Sequence, residues 1–243
     1  GKMTLEGPIK RNKTSILISG RRTWIDLLKE PILNLLEDKI NFNGNGNYYF
    51  YDITGKINHK FSAKDRLFIS FYAGKDKFFG VLKNEGENNL QNLDNNIIKQ
   101  KFNSDIQFGL SWENIIGSMR WTHIINNKLF TNTIFTYSRY KFDNTIVGYE
   151  ENTIEYENQS DSILIKTSDY LYRSGIEDLG IQLHFDYSLS SKHKFKFGCS
   201  YVKHHFFPGY LTWERDDPEY DYYIDTIITF SNTLRPDNGF IYI

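Results

Sequence analysis

Apolar and polar residues alternate with a period of two along most of the chain, the mark of strands with two unlike faces. From Tyr49 to Phe61 the odd positions include Tyr49, Tyr51, Ile53, Ile57 and Phe61, and the even positions between them include Asp52, Thr54, Lys56, Asn58 and Lys60. Leu67, Ile69, Phe71 and Ala73 oppose Arg66, Ser70, Tyr72 and Asp76 in the same way, and Met119, Trp121, His123 and Ile125 oppose Ser118, Arg120 and Thr122. The clearest hairpin sets Ile181, Leu183, Phe185, Tyr187 and Leu189 against Gln182, His184, Asp186 and Ser188, then Phe195, Phe197, Cys199 and Tyr201 against Lys194, Lys196 and Ser200. The pattern predicts eight strands, over about 2–7, 13–22, 47–60, 66–78, 106–124, 129–142, 170–188 and 194–206, with a ninth starting near 239.

The connections come in two alternating lengths. Pro8–Lys13, Ser62–Asp65, Asn126–Lys128 and Ser190–His193 are short; Thr23–Asn47, Phe79–Asp105, Asn144–Ser168 and Phe207–Asn238 are long. Such long loops are uncommon in a compact soluble domain, whereas membrane barrels have short turns at the periplasmic end and long loops outside. The fold class predicted is therefore all-β, an antiparallel up-and-down transmembrane β-barrel. Two other architectures accommodate the same alternation: a small closed barrel of eight to ten strands acting as a passive pore or adhesin, and a soluble β-sandwich that binds carbohydrate through its loop aromatics. Within the first long loop, residues 25–37 have a helix-like apolar pattern interrupted by Pro31, which reads as a short helix or two turns.

Composition sharpens this. Of the 243 residues 16% are aromatic, with 17 Tyr and 19 Phe, a bias toward β-structure. Phe61, Phe68, Phe130, Tyr187 and Phe195 lie close to turns, where a membrane barrel carries its interfacial girdle. The net charge of −1 removes the electrostatic reason to expect a nucleic-acid partner. Cys199 is the one cysteine, so no internal disulfide framework or multi-cysteine zinc site is possible. No run reaches the roughly 18 apolar residues of a membrane helix, and no secretory leader is visible before Lys13.

Four stretches, Glu6–Leu28, Tyr49–Phe78, Ser111–Asp143 and, more weakly, Phe185–Gly209, resemble the barrel of a TonB-dependent outer-membrane receptor of the Bacteroidota type. The resemblance covers most strands and short turns, not the long loops. It implies a 22-stranded barrel with an N-terminal plug, located in the bacterial outer membrane. It further implies import to the periplasm of an extracellular iron chelate, cobalamin, glycan or peptide, driven through TonB. On that reading residues 1–243 are one partial barrel, with the plug and C-terminal strands absent. Its partners are outer-membrane lipid and lipopolysaccharide, TonB through the missing plug, the cargo and a surface lipoprotein in some relatives. No cofactor is implied.

Candidate binding residues come from loops and rims. Trp213, Tyr220, Tyr222 and Tyr223, in an acidic loop, offer stacking area for a sugar or chelate. Arg22 and Trp24 sit at the outer rim of the second strand, placed for an anionic cargo, rim acids or lipopolysaccharide. The acidic loop lacks the ligand spacing and glycine of a calcium loop. The hairpin at Ser190–His193 places His184 opposite Cys199 and His204 near Leu179, too far apart for one metal ion. No Ser/His/Asp or paired-carboxylate signature is present, so catalysis is not expected.

Overall fold

The computed structural model describes residues 1–23, 44–91, 97–156, 161–217, 222–229 and 237–242. They form a single antiparallel sheet of β1 (Lys2–Lys10), β2 (Thr14–Arg22), β3 (Gly44–Lys60), β4 (Asp65–Gln91), β5 (Ile97–Asn126), β6 (Leu129–Glu155), β7 (Ser162–Ser188), β8 (Lys194–Asp217), β9 (Tyr222–Thr229) and β10 (Asp237–Tyr242), with β1 to β8 in chain order. β10 pairs with Gly198–Lys203 and β9 with Tyr210–Asp217, along the same edge of β8. The two segments are thus one ninth rib, and the architecture is nine antiparallel up-and-down strands. No helix occurs among the described residues, and none there is apolar and long enough to cross a membrane, which says nothing of crossing by strands. The helix expected over 25–37 lies outside the described residues.

Three of the four short turns share one device. Ser62 Oγ accepts the N–H groups of Lys64 and Asp65 at 3.0 and 3.1 Å, Asn126 Oδ1 those of Lys128 and Leu129 at 2.8 and 3.0 Å, and Ser190 Oγ those of Lys192 and His193 at 3.3 and 3.2 Å. A side-chain oxygen that bonds the backbone two and three residues on closes the turn locally. Ser62 also donates to Asp65 at 2.8 Å. That bond, followed by the one to His123, holds the Asp65 carboxyl below its usual value. At the β1–β2 turn Asn12 takes a left-handed conformation, φ 59°, which asparagine tolerates.

Much of the sequence expected as long loop continues the strands. β4 has 27 residues, β5 30, β6 27, β7 27 and β8 24, so most of Phe79–Asp105, Asn144–Ser168 and Phe207–Asn238 is strand. At roughly 3.3 Å per residue β5 extends about 100 Å, several times a bilayer's hydrocarbon thickness. Register runs unbroken from Asp65↔His123 to Gln91↔Ile97. On β5 two-residue periodicity persists but the apolar residues change sides, to Leu110, Phe108, Ile106 and Phe102, whereas Val147, Ile163 and Ile165 on β6 and β7 stay on the odd face; a search for regular apolar odd positions therefore sees a loop. The register of the β7–β8 hairpin is also one residue from the expected one: Leu183 stands opposite Cys199, and His184 opposite Gly198.

Pairing is odd with odd from β3 to the lower part of β8, so one face carries odd residues and the other even ones; on β2 the numbering is exchanged, as in Ile16↔Ile57. In the half nearer the short turns, the odd face is apolar and uncovered. Ile53 is 47% exposed, Phe71 44% and Met119 39%, and the described residues contain no buried hydrophobic core. Phe185, on the same face, is half-buried against Phe197, their rings stacked 5.1 Å apart. The second sheet that a soluble sandwich requires is absent among the described residues. Phe68 and Phe130 stand on the even face, with Asn58 and Asp186 as cross-strand partners, and so leave the expected girdle. Of the described strands β1 pairs only with β2, so the structure does not show the closing pair of a small barrel.

Candidate binding face

A belt of charge ends the apolar band. On the odd face Lys75 stands opposite Glu113, Arg139 opposite Glu177, and Glu177 opposite His205. Lys75 lies 3.9 Å from Glu113, Arg139 3.1 Å from Glu113, and His205 3.9 Å from Glu177. The residues below the belt, such as Leu179–Tyr187 on β7, come to the lower end of the roughly 9–11 needed to cross a tilted bilayer. Beyond Phe79 and Val81 the odd face of β4 and β5 is hydrophilic, with Lys83 paired to Asp105 at 3.4 Å, Lys99 to Glu87 at 3.2 Å, and Lys101 to Glu155. The bond to Glu155 raises the Lys101 ammonium above its usual value.

The even face changes in the opposite sense. Below the belt it carries Lys56, Ser70, Arg120 and Gln182; above it come Phe78, Leu82, Ile106, Phe108, Ile146 and Tyr170. The register places these side by side: Phe78↔Leu110, Leu82↔Ile106, Phe108↔Ile146 and Ile146↔Tyr170. Phe78 and Phe108 rings lie 5.7 Å apart, and Phe142 and Tyr172 rings 6.2 Å apart. Two glycines open the surface. Phe108 lies over Gly80 and Phe102 over Gly86, each its cross-strand partner, so a Cβ at either glycine would meet the ring. An aromatic laid over a cross-strand glycine covers the bare backbone and presents its own face outward.

Trp213 joins this surface through a bulge. Between Arg173↔Tyr210 and Gly175↔Phe207, β8 has one residue more than β7. Gly209 takes φ +115° there, and a Cβ would come within 2.7 Å of the Arg173 carbonyl oxygen. The extra residue shifts odd positions of upper β8 to the even face, and Trp213 stands opposite Tyr170. Trp213 is 40% exposed. At the surface's edge Tyr48 donates to Asp76 at 3.0 Å, and Arg21 pairs with Asp52. Partial burial, then that bond, holds the Tyr48 phenol above its usual value.

Of the other candidates, only Arg22 has a described side chain, and it stands away from Trp213. Arg22 is on the odd face, its guanidinium 5.8 Å from the Tyr49 ring centre, six strands from β8 or about 29 Å across the sheet. Tyr222 and Tyr223 pair with Asp217 and Asp216; Trp24 and Tyr220 lie outside the described residues. The aromatics missed from sequence sit at even positions beyond Phe78, and their signal is the Gly–Phe pairing across the β4–β5 hairpin.

Ser138, Asp178 and His204 do meet on the even face, Ser138 Oγ 3.3 Å and His204 Nδ1 2.7 Å from Asp178. Asp178 stands between the other two, so this contact gives Ser138 no histidine base, and the arrangement is not that of a nucleophilic triad. His204 faces Asp178, six residues along β7 from His184. No group of three His, Cys, Asp or Glu able to hold a metal occurs among the described residues.

No family model matches the chain. No curated protein matches it. Among solved structures it is similar to the siderophore receptor PirA from Acinetobacter baumannii, with a TM-score of 0.24 and 7% identity over 99% of this chain and 56% of that one. It is also similar to a FadL homologue from Pseudomonas aeruginosa, with a TM-score of 0.20 and 7% identity over 98% of this chain and 75% of that one. The chain thus spans little more than half the length of the siderophore receptor.

Proposed function

We propose that this chain is a segment of an outer-membrane transport barrel, with its odd face against lipid below the charged belt and its even face toward the lumen. The observation that carries the reading is the apolar band, which no described residue covers and which ends at charged residues in two adjacent cross-strand rows, Lys75 and Glu113 in one and Arg139, Glu177 and His205 in the next, with Lys203 one odd position inside His205 on β8. A protein core would bury that band; lipid leaves it bare of protein, and the belt marks where water resumes. The aromatic surface above the belt then lines the outer mouth, and Trp213 with Tyr170 stacks on a flat or sugar-like cargo. The finer reading is TonB-energised import by a receptor of the Bacteroidota type, with a plug, TonB and a surface lipoprotein as partners. It is supported by the four stretches that resemble that family's strands and turns.

Cys199 provides a native probe, since it lies on the odd face within the band. In membranes containing the full-length protein, a charged aqueous thiol reagent should leave Cys199 unmodified. Lys56→Cys in a Cys199→Ala background, on the even face, should be labelled. Equal labelling of the two would remove the membrane assignment.

A further inference from the structure

A second feature of the even face lies at the opposite end from the aromatic surface. Lys60 stands opposite Arg66, and Phe68 opposite Arg120. The Arg120 guanidinium carbon is 4.2 Å from the Phe68 ring centre, and that of Arg66 is 5.8 Å from the same ring. Lys13 adjoins them, its carbonyl accepting the Lys60 N–H at 2.8 Å, and Lys56 lies two positions along β3 from Asn58. A cavity of about 180 Å³ opens here, with Lys13, Asn58, Lys60 and Arg66 in its lining. Asn58 Oδ1 is buried without a hydrogen-bond partner.

Among the described residues none of these five cations has an ion-pair partner. Several cations elsewhere on the sheet are matched, as in Arg21–Asp52, Arg139–Glu113, Arg173–Asp143 and Lys196–Asp186, and among the described residues no other unmatched group brings two guanidinium groups onto one ring. The even-face acids at this end are Glu6, separated from Lys56 by Leu17 on the intervening strand, and Asp186, held by Lys196 at 3.1 Å. Like charges opposite one another weaken a sheet, and this cluster accepts that cost. A bound anion offsets it. Guanidinium forks match the geometry of carboxylate and phosphate, and ring stacking restricts the forks before binding. The Asn58 amide, free to turn, supplies a further donor.

We propose that Arg66 and Arg120, braced on Phe68 and flanked by Lys13 and Lys60, form a binding site for a multiply charged oxyanion bearing phosphate or carboxylate groups. The site requires water on the even face but not lipid on the odd one, so it goes beyond the transport reading, and its failure is distinct from a failure of the Cys199 labelling.

The test is calorimetric titration of the full-length protein in detergent with sodium pyrophosphate and, separately, citrate, at constant ionic strength. Saturable binding of at least one is expected, the tighter of the two identifying the preferred group. R66Q/R120Q should weaken it by at least about tenfold, and R66K/R120K, which keeps the charge but loses the fork, by several-fold. K13Q/K60Q, at the turn and strand end, provides an independent check if the arginine variants fold poorly, and should also weaken binding. Absence of saturable binding up to about 10 mM, or unchanged binding in K13Q/K60Q and R66Q/R120Q, overturns the proposal. Failure to bind either probe, with a lower melting temperature in R66Q/R120Q, overturns it in favour of an acidic protein segment over the cations.

Discussion

The two halves of β4 and β5 have the same hydrogen-bond ladder and opposite dress. Near the short turns Ile69, Phe71 and Met119 point to the odd face and Ser70 and Arg120 to the even one; beyond Lys75 and Glu113, Lys83, Glu87 and Lys101 point to the odd face, and Leu82, Phe102 and Phe108 to the even one. Backbone pairing is indifferent to this exchange, since it satisfies the same N–H and C=O groups in either half. What differs is the composition of each face. On the proposed membrane reading, the exchange at the belt is the boundary between lipid and water on the odd face.

The largest expected effect breaks the comparison if the halves are alike. Phe71→Arg, in the band, should cost about 2–4 kcal/mol in folding into vesicles, whereas Val147→Arg, on the odd face above the belt and opposite Asp169, should stay within about 0.5 kcal/mol. Comparable losses in urea titrations of the two would show that lipid does not distinguish the halves. Next comes Gly209→Ala, which forces a Cβ against the Arg173 carbonyl at a positive φ and should cost about 1–3 kcal/mol. Trp213 emission, read alongside a melting curve, should shift with it as the indole leaves Tyr170.

Phe108→Ala uncovers Gly80 and removes a ring from the upper even face. Its cost should be about 0.2–1 kcal/mol, seen as faster amide exchange confined to the upper β4–β5 ribbon. At the boundary Glu113→Gln should cost less than about 1 kcal/mol, because the pairs with Lys75 and Arg139 are partly exposed, and the loss should shrink in high salt. The smallest effect is at the short-turn end. The Asp65 carboxyl titrates below its usual range when folded, so its contribution is present above the unfolded value of about 3.9 and is lost as pH falls through the folded one. Ser62→Ala removes the largest cause, and a carboxyl NMR titration should find Asp65 moved back up toward that value.

Much of the lower half was legible in the sequence. The two faces of each strand and the turns at Ser62, Asn126 and Ser190 rest on contacts within a few residues, where side-chain period and turn chemistry act locally, and the short turns make the strands they join antiparallel neighbours. The extensions were not, because β5 from Lys99 to Leu110 keeps the period while exchanging its faces, and a loop and an inverted strand share that composition. Trp213 was named for its chemistry, yet its partnership with Tyr170 depends on an extra residue at Gly209, and a one-residue offset turns a side chain to the other face. Arg22, named beside it, proves to stand on the opposite face.

By itself the sequence determined a ribbon with one greasy and one polar side, since alternation is written residue by residue. Only the tertiary structure decided how far that ribbon runs, where its sides exchange, and that Arg66 and Arg120 meet over one phenylalanine. Those outcomes depend on register between strands distant in the chain, and register is a property of pairs that no single strand contains.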